Sequence, residues 1–188
     1  MIPSFSSYPV FRPPPELAAG SPADWSSAEA NRYLMWLVSV LEPRVLDLLA
    51  YLGETSEGSP ANLLVRVGEK AIWVLKKPEF SCCQADGAVR LTAEGYSLAT
   101  DLGLLIAKLL IENSANVRWE ILRRPKSEVS FNQPVLVGFG KRHLDPVRGS
   151  VAEAYRCLKQ DGPATAWMRI YEFWSSRGAE VSSRPSST

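Results

Sequence analysis

The chain has 188 residues, 46% of them apolar, with 21 basic and 20 acidic side chains and a formal net charge of +1. This length and apolar fraction are sufficient for one domain with its own core. The balance of charge argues against a dedicated nucleic-acid or membrane-surface protein, because both classes carry a large basic excess.

The three cysteines do not form a disulfide framework. Cys82 and Cys83 are adjacent and Cys157 is far along the chain, and neighbouring cysteines form a bridge only with strain. The pattern favours reduced thiols and therefore a cytoplasmic protein. A redox or metal-binding pair is the alternative, but the CxxC spacing typical of zinc sites is absent from the sequence. We expect no metal and no cofactor.

Composition divides the chain into three parts. Residues 1–24 are rich in Pro and Ser and are predicted to form an extended arm, whereas residues 25–177 are predicted to form one globular domain. Residues 178–188 are predicted to be a disordered tail. The first twenty residues lack the basic and unbroken apolar segments of a signal peptide.

The longest apolar segment, residues 33–53, is not predicted to span a membrane. It contains Glu42, Arg44 and Asp47, and a membrane span would place those charges in hydrocarbon at a high cost in free energy. The segment is predicted to form parts of two water-exposed helices. The first begins at a cap near Ser26 or Ser27 and ends near Leu41, and the second runs from Pro43 to Gly53.

Two interpretations fit residues 59–80. Ser59 followed by Pro60 is typical of a helix start, and apolar residues then recur at helical spacing at Leu64, Val67, Ala71, Val74 and Leu75. The alternative is a β-hairpin that turns at Gly68. The periodicity, the length and the cap together favour the helix.

Residues 91–113 give the clearest helical pattern. Leu91, Gly95, Leu98, Leu102, Leu105 and Leu109 alternate spacings of four and three, and other apolar residues cover most of the remaining circumference. A helix that is apolar on most sides is predicted to lie buried at the centre of the fold. Gly103, in a stripe of small residues four apart, is predicted to let another element approach the helix backbone closely.

Residues 117–139 are predicted to form an antiparallel meander of two or three strands. Val117, Trp119 and Ile121 alternate with polar neighbours, which indicates a half-buried strand. A basic turn follows at residues 123–128, then a short strand at 129–131, then an apolar strand that begins at Pro134. Residues 141–150 are predicted to be a loop.

Two further helices complete the prediction. Asp145 is interpreted as a helix N-cap before Pro146. The last helix carries an aromatic stripe, which is interpreted as core packing, with a partner-binding or ligand-binding groove as the alternative: Trp167, Ile170, Tyr171 and Trp174. The expected class is α+β: a predominantly helical single domain with a small antiparallel β-meander between a central buried helix and two C-terminal helices.

The sequence contains little that indicates catalysis. His143 is the one histidine, so a multi-histidine metal site is excluded and any Ser-His-Asp or Cys-His site would have to use it. Phosphate-binding glycine motifs are absent from the sequence. An anion- or carboxylate-based enzyme site near Gly138–Asp145 remains an open alternative.

Basic side chains are concentrated in residues 117–148, where seven basic and three acidic residues give a net charge of +4. Such a region is able to bind an acidic protein surface or phosphate groups. The candidate partner-binding residues are Arg123, Arg124, Lys126, Lys141, Arg142 and His143. Nucleic acid is the weaker candidate as partner, because Trp119 and Phe139 occupy strand positions that are predicted to be buried rather than exposed for base stacking.

The helix "GYSLATDLGLLIAKLLIEN", the strand "VRWEI", the segment "NQPVLVGF" and the motif "LDPV" together resemble small bacterial α+β proteins of unassigned function. Some of those proteins are encoded beside secreted antibacterial toxins and act as immunity proteins. The resemblance covers residues 91–148 and carries over no catalytic residues. It implies a non-enzymatic protein whose partner is a cognate toxin, which it neutralises by binding and occluding it. The near-neutral charge departs from the strongly acidic pattern of many immunity proteins against basic nucleases.

Overall fold

The computed structural model describes residues 7–17, 20–160 and 162–182. Within them, five α-helices and two small antiparallel sheets follow one another along the chain, and the predicted α+β class is confirmed. The helices are α1 (Ser27–Leu52), α2 (Pro60–Leu75), α3 (Ala93–Glu112), α4 (Pro146–Gln160) and α5 (Ala166–Ser182). The strands are β1 (Ser81–Cys83), β2 (Val89–Leu91), β3 (Arg118–Ile121), β4 (Pro134–Phe139) and β5 (Arg142–Leu144).

The central helix is α3, as predicted. Fourteen of its 20 residues are buried, and the side chain of Thr92 caps its start by accepting a hydrogen bond from the Gly95 N–H. The other four helices pack against it. A Cβ atom at Gly103 would lie 2.4 Å from the carbonyl oxygen of Pro146, so the first turn of α4 lies directly on the α3 backbone. The predicted close approach at Gly103 is confirmed.

The prediction of two helices between Ser26 and Gly53 is wrong, because α1 is continuous and contains Pro43. A capping box starts it: the Glu29 N–H donates to the Ser26 hydroxyl, and the Ser26 N–H donates to the Glu29 carboxylate. Proline removes the hydrogen bond to the carbonyl of Ser39. Both Pro43 and Ser39 are exposed, so water is able to satisfy that carbonyl while the opposite face of α1 stays packed on α3.

Residues 60–75 form the helix α2, and the alternative of a hairpin at Gly68 is excluded. The Ser59 side chain accepts a hydrogen bond from the Asn62 N–H, and Pro60 occupies the first turn. Seven residues of α2 are buried, which matches the predicted apolar face: Leu63, Leu64, Val67, Gly68, Ala71, Val74 and Leu75.

The meander is confirmed, but its third strand is not the predicted one. The strand order is β3-β4-β5, with Trp119 opposite Leu136 and Leu136 opposite Leu144. Residues 129–131 are a turn, because buried Ser130 donates its hydroxyl hydrogen to Asp145. The third strand lies instead at Arg142–Leu144, within the segment predicted to be a loop.

A second sheet, the hairpin β1–β2, has no counterpart in the prediction. Its strands have three residues each, which is too short for an alternating pattern to be recognised. Cys82 and Cys83 lie on β1, and both are exposed and free of disulfides.

The C-terminal helices agree with the prediction except at the end. Asp145 caps α4 by accepting a hydrogen bond from the Arg148 N–H at 2.9 Å, and Trp167 and Tyr171 are buried in the core. The prediction that disorder begins at Gly178 is wrong for the first part of the tail, because α5 continues to Ser182. Buried Gly178 lies close to Ser114, which holds this turn of the helix on the domain. Residues 183–188 lie outside the described residues.

The described part of the N-terminal arm is packed into the domain. Tyr8 is 1% exposed, and its hydroxyl donates to the Asp101 carboxylate at 2.5 Å. Arg44 donates to the carbonyl oxygen of Pro9 at 2.9 Å, and the Phe11 N–H donates to the Ser97 hydroxyl at 2.8 Å. The arm is thus held by α1 and α3 together. Among the described residues, no helix has the length and apolarity that a membrane crossing requires.

Candidate functional site

The candidate basic residues fall into two groups at opposite ends of β4. One group follows β3 in the loop that precedes β4, and the other follows β4. Six residues at about 3.4 Å each separate the two ends by roughly 17 Å. The first group is Arg123, Arg124 and Lys126, and the second is Lys141, Arg142 and His143. Arg123 and Arg142 therefore lie apart, but the later part of the loop returns to β5, where a Glu128 oxygen lies 4.0 Å from His143 Nε2.

Arg123 is engaged within the fold. Its guanidinium donates to the side-chain oxygen of buried Asn132, to the Ser27 carbonyl at 3.3 Å and to the Asn31 side-chain oxygen at 3.2 Å. These bonds tie the β3–β4 loop to the first turn of α1. Arg124 is exposed, so the two adjacent arginines have different roles.

The second group lies in the segment Gly138–Asp145, where the sequence left an enzyme site as an alternative. His143 and Asp145 line a shallow cavity of about 370 Å³, together with Glu128. The His143 Nε2 atom lies 4.0 Å from a Glu128 carboxylate oxygen. Both Asp145 oxygens already accept hydrogen bonds, one from the Arg148 N–H and one from the Ser130 hydroxyl. Asp145 is thus occupied in holding α4 and the β3–β4 loop. No cluster of three metal-ligating side chains occurs among the described residues.

A different surface stands out on α1. Met35, Val38 and Leu46 are 72%, 48% and 57% exposed. At 3.6 residues per turn, their positions fall within about 80° of one another around the helix. Other large exposed hydrophobic side chains of the described residues lie on separate elements, as Trp73 on α2 and Phe173 on α5 do. Contiguous exposed apolar surface is typical of interaction sites.

Two grooves continue this surface onto its neighbours. Val38 and Leu41 of α1 line the first groove, of about 470 Å³, with Ile111 of α3 and Trp119 of β3. The second groove, of about 270 Å³, lies beside Leu46.

An ion-pair bridge separates the two grooves. Lys108 Nζ lies 2.6 Å from a Glu42 oxygen and 2.7 Å from a Glu112 oxygen, and all three residues line both grooves. Hydrogen bonds to Glu112 and Glu42 raise the pKa of Lys108, so its charge persists and offsets one of the two carboxylates. We call the whole surface the α1–α3 face. It comprises the bridge and six apolar residues: Met35, Val38, Leu41, Leu46, Ile111 and Trp119.

Trp119 adds an unusual feature to the α1–α3 face. Its indole nitrogen is buried and has no hydrogen-bond partner within the part of the chain that the structure describes. A buried donor without a partner costs roughly 1–3 kcal/mol, and the described residues contain two more such atoms, Thr165 Oγ1 and Arg177 Nε. The neighbouring Arg118 is exposed and pairs with Glu120 at 2.5 Å.

The sequence contained the signal for this face, but the assumed break at Pro43 concealed it. Met35 and Leu46 are eleven residues apart, which is close to three full helical turns. They lie on one side of α1 only if the helix continues through Pro43, as it does. If the segment is divided into two helices, the sequence does not specify on which sides Met35 and Leu46 lie relative to each other.

No known protein family, curated protein or solved structure matches this chain.

Proposed function

We propose that this chain is a non-enzymatic protein-binding protein and that the α1–α3 face is where it binds its partner. The observation that carries the proposal is the exposure of Met35, Val38 and Leu46 on one side of a helix whose opposite side is core. Burying a side chain of this kind contributes about 1.5–3 kcal/mol. Three such side chains along one helix face form apolar surface of the kind that marks interaction sites.

The dimensions favour a macromolecular partner over a small ligand. Eleven residues of α-helix extend for roughly 17 Å, so Met35 and Leu46 mark a long stripe. A helix or strand of a partner is able to follow such a stripe and place apolar side chains in both grooves. The bridge of Glu42, Lys108 and Glu112 gives the stripe a polar centre that an interface must match with its own polar groups.

Within this proposal, the specific form is an immunity protein that neutralises a cognate toxin by occluding it. Its support is the resemblance of residues 91–148 to bacterial proteins encoded beside antibacterial toxins. Two elements of that segment line the face: α3 supplies Ile111 and β3 supplies Trp119.

The test is co-expression with the product of the adjacent reading frame, followed by co-purification and affinity measurement. The partner is expected to form a stable heterodimer with the wild-type chain. The double variant Met35→Glu plus Val38→Asp is expected to weaken binding at least 100-fold, because it places two charges in an apolar interface. The matched control is Val129→Asp, since Val129 is 56% exposed on the β3–β4 loop.

Each result has a distinct meaning. A complex that survives the double variant would reject the α1–α3 face and leave protein binding intact. A neighbour that is not bound would reject the immunity form. Equal losses in the double variant and in Val129→Asp would show a general effect of added charge and would count against the face.

The enzyme alternative near Gly138–Asp145 retains one observation in its favour, which is that His143 and Asp145 line the same cavity. Nucleic-acid binding has less support, because Arg123, one of the basic residues that would contact phosphates, is engaged in the fold. Binding of a nucleic acid that weakens steeply with salt and is lost in Arg124→Ala plus Lys126→Ala would revive that alternative.

A further inference from the structure

A separate cavity lies beneath the N-terminal arm, away from the α1–α3 face. Its volume is about 320 Å³, at the lower end of the range for small-molecule sites. Four elements contribute apolar side chains to its wall. These are Phe11 of the arm, Leu37 of α1, Tyr96 of α3, and Val147 and Val151 of α4. The cavity is therefore shaped by four elements whose mutual positions are fixed by the core.

Two hydroxyl groups at this cavity have no partner. Thr100 lines the cavity and is 6% exposed, and no hydrogen bond joins its hydroxyl to any residue that the structure describes. The Tyr33 hydroxyl is likewise unpaired among the described residues. Neither oxygen is among the buried unpaired side-chain atoms of the described residues, so both hydroxyls are open to the cavity and free to bond a group bound there.

The state of Tyr33 is fixed by its surroundings. Burial, and then the negative charge of Asp145, raise the pKa of Tyr33 to about 12. The phenol therefore keeps its proton at physiological pH and is available as a hydrogen-bond donor.

Arg148 supplies a charge at the same cavity. Arg148 is exposed and lies at the rim, in the first turn of α4, and its guanidinium has no ion-pair partner within the described residues. The one carboxylate in the wall, Asp145, already accepts hydrogen bonds from the Arg148 N–H and the Ser130 hydroxyl. The three groups without a partner, the Arg148 guanidinium and the Tyr33 and Thr100 hydroxyls, are all able to donate a hydrogen bond, although the charge of Asp145 opposes an anion placed close to Tyr33.

We infer that this cavity binds a small amphiphilic carboxylic acid. The ligand carboxylate pairs with the Arg148 guanidinium and accepts hydrogen bonds from the Tyr33 and Thr100 hydroxyls, which matches acceptor oxygens to unpaired donors. The apolar body of the ligand lies against Phe11, Leu37 and the α4 valines. This site is independent of the protein-binding face and of its proposed function.

The first experiment compares three probes of equal size by isothermal titration calorimetry: 3-phenylpropionate, 3-phenylpropionamide and 3-phenylpropylamine. The carboxylate is expected to bind at least tenfold more tightly than the amide, because only the carboxylate gains the charge of Arg148. The amine is expected to bind more weakly than both. Equal affinity for acid and amide, preference for the amine, or no binding of the acid at millimolar concentration would each overturn the inference.

The second experiment uses matched variants of the full chain. Arg148→Gln is expected to lower the affinity for 3-phenylpropionate at least tenfold, and Tyr33→Phe is expected to lower it by a smaller factor. The matched control is Arg142→Gln, because Arg142 is exposed, as Arg148 is, but does not line the cavity. Circular dichroism confirms that each variant is folded. If Arg148→Gln and Arg142→Gln bind the probe with equal affinity, the assignment of Arg148 is wrong and the inference fails.

Discussion

The guanidinium of Arg44 and the carboxylate of Asp101 form a buried ion pair with two hydrogen bonds, at 2.9 and 2.5 Å. Asp101 is fully buried, and the Arg44 side chain is 11% exposed. The Tyr8 hydroxyl donates to the same carboxylate. One carboxylate on α3 thus holds both α1 and the N-terminal arm, so removing any of the three partners leaves a buried polar group uncompensated.

The first prediction concerns the pH dependence that Asp101 imposes. Burial raises the pKa of Asp101 to about 6 from its ordinary 3.8, although Arg44 and Tyr8 act in the opposite direction. The folded state therefore binds more protons than the unfolded state between these two values. The contribution of Asp101 to the free energy of unfolding is expected to fall by about 2 kcal/mol as pH rises from 4 to 6, and to be constant above 7.

Urea denaturation of the wild type and of Asp101→Asn over this pH range measures that contribution as a difference. The control is Asp24→Asn, since Asp24 is exposed and its substitution is expected to leave the curve of stability against pH unchanged. A wild-type-minus-variant difference that is flat from pH 4 to 7 would contradict the prediction.

The second prediction concerns the crossing of α3 and α4. Gly103→Ala is expected to destabilise the protein by about 1–3 kcal/mol, because the added Cβ would meet a backbone carbonyl oxygen at 2.4 Å. Gly149→Ala on α4 is the control, since its Cβ would have Leu144 Cδ1 as its nearest neighbour, at 3.9 Å. That control is expected to stabilise by up to about 1 kcal/mol through helix propensity. Thermal and urea denaturation measure both values, and the same sign for both would be contrary to expectation.

The third prediction concerns Pro43. Pro43→Ala is expected to raise the free energy of unfolding by about 1–2 kcal/mol, because alanine restores the N–H that a helix interior uses. Pro60→Ala is the control: Pro60 is in the first turn of α2, where the N–H has no intrahelical acceptor to gain. Urea denaturation of both variants distinguishes them, and a destabilised Pro43→Ala would argue against a continuous α1.

The fourth prediction separates two adjacent arginines. Arg123→Ala is expected to cost about 1–2 kcal/mol, because it removes hydrogen bonds to Asn31 and to buried Asn132. Arg124→Ala is expected to change stability by less than about 0.5 kcal/mol, as exposed substitutions usually do. Equal effects in urea denaturation would contradict the structural role of Arg123.

Local signals in the sequence were sufficient to predict α2 and α3, because all of those signals indicate a helix there. In α2, the cap at Ser59, the proline after it and the apolar spacing all predict a helix. In α3, the apolar residues are so numerous that burial follows directly. Propensity failed where tertiary packing outweighed it: Pro43 predicts a helix start, but α1 continues because both halves pack on α3.

The candidate site was less accessible to prediction for a geometric reason. Arg123 and Arg142 were placed in one group because they are close in sequence. In the fold they lie next to opposite ends of β4. The α1–α3 face joins Val38 to Trp119 and Ile111 through contacts between three elements. Such contacts depend on how helices cross, and no local pattern in a single chain specifies a crossing.

The bond from Tyr8 to Asp101 joins residues 93 positions apart, and this has a consequence for synthesis of the chain. At ribosomal rates of about 5–20 residues per second, roughly 5–20 s separate the appearance of the two partners. During that interval α1 and α2 exist without the central helix that covers their apolar sides. Until α3 leaves the ribosome, the apolar sides of α1 and α2 are therefore open to non-native contacts.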